Sequence, residues 1–138
     1  MMHRHLHVGD RLPPHVNAPI ERSQLVRYAE ASGDSNPIHI DEDFARRAGY
    51  RSVFAHGMLS MGFLGRFLSD SFGPAAVRRL HVRFKAITWP GDVITCHGEV
   101  TGVSEKDQRQ VLELKVWTEN QDATVTSEGS ATVVLHQA

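Results

Sequence analysis

The chain has 138 residues, of which 41% are hydrophobic, and a formal net charge of -1. That length and apolar content fit one domain with an ordinary core, and the near-neutral charge gives no electrostatic reason to expect nucleic acid or an acidic membrane surface as a partner. A lone cysteine, Cys96, excludes an internal disulfide, and no charge-free stretch is long enough to span a bilayer, so a cytoplasmic location is expected.

In chain order, residues 1–14 read as a loosely ordered extension in which His3, His5 and His7 alternate without an assigned role. Val16 to Ile20 suggests a short first strand. From Ser23, an expected N-cap, Leu25, Val26, Tyr28 and Ala29 recur at helical spacing until Gly33 ends the helix. The next residues, Asp34-Ser35-Asn36-Pro37-Ile38-His39, form a turn, because Gly33 and Pro37 break regular structure and proline biases Asn36 towards extended backbone. Two readings of this turn stay open on spacing alone. Asp34 and His39 can be paired bases that orient a water and move its proton, or Asp34 can close an Asx-turn beside a surface histidine.

Asp41 is a second N-cap, opening a short helix from Glu42 to Ala48 that Gly49 stops. Arg46, Arg47 and Arg51 read as a solvated face. Phe54 to Phe72 is the most apolar stretch, and a helix apolar nearly all round is a buried helix. Its Gly57, Gly62 and Gly65 each cost on the order of 1 kcal/mol against alanine, which points to close backbone approach. At Gly57 the unpaired amides of the helix start offer a site for a developing oxyanion.

After Gly73-Pro74 the period becomes two. Leu80, Val82, Phe84 and Ala86 face one way, and Arg79, His81, Arg83 and Lys85 form a basic stripe on the other. Pro90-Gly91-Asp92 turns the chain into a strand from Val93 to Val103. Ser104 to Gln108 makes a polar hairpin turn, Leu112, Leu114 and Val116 alternate in the next strand, and Asn120-Gln121-Asp122 leads to a last strand with Val125, Ala131, Val133 and Leu135. Four long strands in a meander after a buried helix give an α+β architecture whose uncovered face or edge calls for a dimer, with Trp117 on the outer face.

Gly33-Asp34-Ser35-Asn36-Pro37-Ile38-His39, Ala55-His56-Gly57-Met58-Leu59, Val82-Arg83-Phe84 and Pro90-Gly91-Asp92, in this order, resemble the MaoC-like family of R-specific enoyl-CoA hydratases and hydroxyacyl-thioester dehydratases. The resemblance covers roughly residues 20 to 135. It implies a hot-dog fold, an antiparallel sheet wrapped around a long central helix, with the acyl chain entering near residues 41–53. It also implies that Asp34 and His39 activate water and that the Gly57 amide polarises the thioester carbonyl. The expected reaction is reversible hydration of a trans-2-enoyl thioester to an R-3-hydroxyacyl thioester, with coenzyme A or acyl carrier protein as carrier and no cofactor. A hot-dog thioesterase and one subunit of a heterodimeric dehydratase are the alternatives.

Catalytic roles are thus expected for Asp34, His39 and Gly57, and substrate-binding roles for Asn36, His56, Met58, Leu59 and Arg83. Asp34, His39 and His56 also make a conceivable zinc triad, but the implied chemistry needs no metal and none is expected. Assembly is expected to be a homodimer, with a heterodimer or an assembly of dimers as variants.

Overall fold

A computed structural model describes residues 5–135. Strands β1 (His15–Val16), β2 (Val77–Phe84), β3 (Thr95–Lys106), β4 (Arg109–Glu119) and β5 (Val125–Leu135) form one antiparallel sheet in the order β1-β3-β4-β5-β2. Helices α1 (Arg22–Ser32), α2 (Glu42–Arg47) and α3 (Gly57–Phe72) accompany it, and 3-10 turns span Pro37–His39 and Pro74–Ala76. This is the expected α+β hot-dog arrangement, in which the sheet packs against the long helix.

The expected four-strand meander is corrected in one respect. β3, β4 and β5 do follow one another, but β2 pairs with β5 at the far edge, so residues 85–94 must return across the sheet to reach β3. Two consecutive left-handed residues, Asp107 (φ 52°) and Gln108 (φ 64°), close the β3–β4 hairpin. Their twist matches that of the strands, which lets pairing run to Lys106 and Arg109 rather than stop at Ser104.

From α3, Leu64, Phe67, Leu68 and Phe72 meet Cys96, Val100, Leu112, Leu114, Val116, Ala131 and Val133 of the sheet in the main core. The helix is not buried all round: Met58, Gly62, Arg66 and Asp70, four residues apart, form an exposed stripe. Of its glycines only Gly57 shows a tight approach. A Cβ there would lie 2.8 Å from the Phe84 ring, whereas one at Gly62 would meet nothing within 4 Å. A smaller cluster of Ile20, Leu25, Ala45, Val53, Ala55, Leu59 and Ile94 anchors α1, α2 and the N-terminal end of α3 to each other.

The described part of the supposed loose extension, residues 5–14, is ordered. Gly9 and Leu12 donate backbone hydrogen bonds to the carbonyls of Val100 and Gly98, and Leu6 and Leu12 are buried in the main core. Apolar side chains inserted under a sheet edge fix this segment where composition alone suggested mobility. Met1 to Arg4, including His3, lie outside the described residues. Glu21, not Ser23, caps α1, in a capping box with Gln24, and Gly33 ends it in left-handed conformation (φ 79°) as expected.

Candidate functional site

Gly33 terminates α1 and turns the chain at once into Asp34, whose exposed carboxylate accepts a hydrogen bond from the Asn36 amide at 3.3 Å. Asn36 takes the extended conformation expected before proline (φ -56°, ψ 123°), and its Oδ1 accepts from the Ile38 amide at 3.2 Å. Asn36 therefore braces the turn from within. Pro37 starts the 3-10 turn that carries His39 inward.

His39 is not a surface histidine. It is buried, and its Nδ1 lies 2.7 Å from the Phe54 carbonyl. A carbonyl only accepts, so Nδ1 carries the proton and the Nε2 lone pair is left available in the neutral ring. Burial depresses the pKa of His39 below its ordinary value; the Phe54 hydrogen bond opposes this shift, His56 adds to it, and Asp34 opposes it. The Asx-turn reading of Asp34 and the paired-base reading are thus compatible, because the same turn that braces Asp34 delivers His39 beside it.

His56, the residue before α3, is almost fully buried. Its Nε2 is 3.0 Å from the Asp34 main-chain carbonyl, and its ring stacks on that of His39 with centroids 3.9 Å apart and planes at 26°. Tyr28 of α1 meets the same ring edge-on at 4.8 Å. One ligand atom from each of Asp34, His39 and His56 lies within 4.8 Å of the others.

Beside His56, the opening amides of α3 precede its first intrahelical hydrogen bond and receive no side-chain cap. A cavity of about 330 Å³ opens there, lined by Phe54, His56, Gly57, Ser60, Phe84 and Thr88 among others. Phe84, which sequence reasoning did not select, packs its ring on the bare face of Gly57. Its signal was present in the strand parity, which points Phe84 to the same side as Val82.

The remaining expected site residues are dispersed. Leu59 is buried in the smaller core cluster, and Met58 is 55% exposed on the outer stripe of α3. Neither lines the cavity at Gly57. Arg83 lies in a separate groove with His81, Lys115 and Glu128, on the opposite parity of β2 from Phe84. The turn and the helix start are therefore brought together, and Arg83 is not brought to them.

Residues 6–121 match the MaoC like domain. The chain belongs to this family. An "(R)-specific enoyl-CoA hydratase" of Rhodospirillum rubrum is 35% identical over 84% of this chain and 80% of its own length. A mitochondrial "3-hydroxyacyl-[acyl-carrier-protein] dehydratase" of Arabidopsis thaliana is 32% identical over 94% of this chain and 78% of its own. Among solved structures, the (R)-hydratase from A. caviae involved in PHA biosynthesis superposes with a TM-score of 0.83, covering 95% of this chain and 98% of that one at 23% identity, a likeness of fold. These similarities place the MaoC-like chain among hydro-lyases. Among its described residues no helix is long and apolar enough to cross a membrane.

Proposed function

We propose that this MaoC-like protein catalyses reversible hydration of trans-2-enoyl thioesters of coenzyme A or acyl carrier protein, giving R-3-hydroxyacyl thioesters. The observation that carries the reading is the pairing of a tautomer-fixed, buried His39 with the Asp34 carboxylate, next to the uncapped start of a 16-residue helix. The name of the R. rubrum relative specifies an enoyl-CoA and R stereochemistry, and that of the A. thaliana relative a 3-hydroxyacyl-[acyl-carrier-protein], which supports this reading.

In this reading Asp34 and His39 hold the water. As its oxygen bonds to C3, one of the pair takes its proton, and the C2=C3 electrons shift towards the thioester oxygen. The Gly57 amide, at the positive end of α3, stabilises that enolate-like oxygen. A proton delivered from the pair to C2 completes the addition on one face. The depressed pKa of His39 suits this role, since a base must be unprotonated at neutral pH. The cavity at Gly57, walled by Phe54, Phe84 and Ile87, supports a thioester-binding role. No cofactor enters the scheme. With one cysteine and that one buried, the protein has no disulfide to form, which supports a cytoplasmic location.

Loss of enoyl-thioester absorbance with crotonyl-CoA tests the reading. Asp34→Asn keeps the shape of the turn but removes the base, so kcat should fall by about 10²–10⁴-fold with little change in stability. A variant with near wild-type hydration would remove Asp34 from the mechanism. Thiol release without hydration would reassign the protein to the thioesterases.

A further inference from the structure

We propose that His56 is a positioning residue for the hydration reaction: its Nε2–H anchors the main chain of Asp34 while its ring face carries His39. This rests on the function proposed above and adds a member that does not itself exchange protons with substrate.

Three observations converge on it. First, the residue occupies an N-cap position, where Ser, Thr, Asp or Asn would satisfy the opening amides, yet the His56 side chain makes no capping bond. A helix start that forgoes its cap leaves those amides for another acceptor, and the imidazole is free for a different task. Second, the Nε2 contact at 3.0 Å is to a carbonyl, so Nε2 is the donor, and the bond ties the start of α3 to Asp34, the residue that follows the Gly33 cap of α1. Third, the ring has two aromatic neighbours. His39 stacks on it at 3.9 Å and Tyr28 meets it edge-on at 4.8 Å, so the plane of His39 is set by a neighbour that is itself 2% exposed.

The His56 Nδ1 is buried without a hydrogen-bond partner. An unsatisfied buried acceptor is a cost that pure packing would avoid by replacing the imidazole with an apolar ring. An apolar ring would keep the stack on His39 and lose the bond to Asp34. The two functions of His56 are therefore separable by substitution. His56→Phe retains the stack and drops the donor, whereas His56→Gln retains a donor at comparable reach and drops the stack.

The experiment measures crotonyl-CoA hydration by wild type, Asp34→Asn and the two His56 variants, with kcat and KM determined separately. Displacing reacting groups by about 1 Å costs on the order of 10²-fold, so His56→Phe should lose about that in kcat. Its KM should stay within about threefold, since a ring of similar size keeps the His56 part of the cavity wall while the loss falls on the placement of Asp34. His56→Gln should recover about tenfold of the loss, because anchoring Asp34 matters more than the stack. Wild-type kcat in His56→Phe, or equal damage in both variants, would overturn the proposal. Imidazole ¹⁵N spectroscopy of the wild type gives a readout independent of turnover and of variant folding. The Nε2–H tautomer is expected at His56, and the Nδ1–H tautomer would overturn the anchor. An inactive wild type would instead strike the proposed function, while the tautomer would still report on the anchor.

Discussion

His39 shows how one buried side chain sets a pH dependence. Burial holds its pKa below the ordinary 6.5, so the unfolded chain binds a proton in a range where the folded protein does not. Stability therefore rises with pH through that window, and it falls as the pH drops from about 6.5 towards the folded value. Urea midpoints measured across this range should decline on acidification in the wild type and decline less in His39→Gln. The acid limb of kcat/KM should lie below pH 6.5 for the same reason. Cys96 illustrates the opposite case of a group with no access. Burial pushes its thiol up to about 11, against a weak contact from Asn17. It should stay unreactive to Ellman's reagent in the folded protein and react once on unfolding. Its inertness was legible from the strand pattern. The burial of His39 was not, since nothing in the local sequence says that the Phe54 carbonyl will wait for it.

At the scale of elements, the edge strand β2 depends on a missing side chain. A Cβ on Gly129 of β5 would lie 1.8 Å from the His81 carbonyl oxygen, so Gly129→Ala must displace β2. Overpacking of this kind costs at least about 1–3 kcal/mol, readable in the urea unfolding midpoint. Because β2 carries Phe84 onto Gly57, hydration should weaken with it. Element types and most turns were readable in advance. Asp41 accepts from the Phe44 amide as a cap should, and Gly33 closes α1. What periodicity missed was lateral order: an alternating strand states which side is buried but not which neighbour it pairs with, so β2 was assigned to a meander it does not join.

For the whole molecule, β2 ends the sheet with one row of backbone groups unpaired among the described residues, and Phe84 on it is 49% exposed. An edge of this kind is either blunted or paired, and we propose that a second copy pairs with it to give a homodimer. Sedimentation of the protein expressed alone should give twice the mass of a chain of 15.4 kDa. A monomer inactive in hydration would point instead to a missing, different subunit.

By itself the sequence determined the class of the fold and the backbone shape of the turn. Helical and strand periods are local, and Gly33, Asn36 and Pro37 act on their own backbone. Only the tertiary structure decided that Leu6 and Leu12 belong to the core, that His56 lies under His39, and that Phe84 rather than Arg83 reaches Gly57. Each of those is a contact between segments far apart in the chain. Such contacts are set by how apolar faces close over one another, and local pattern carries no record of them.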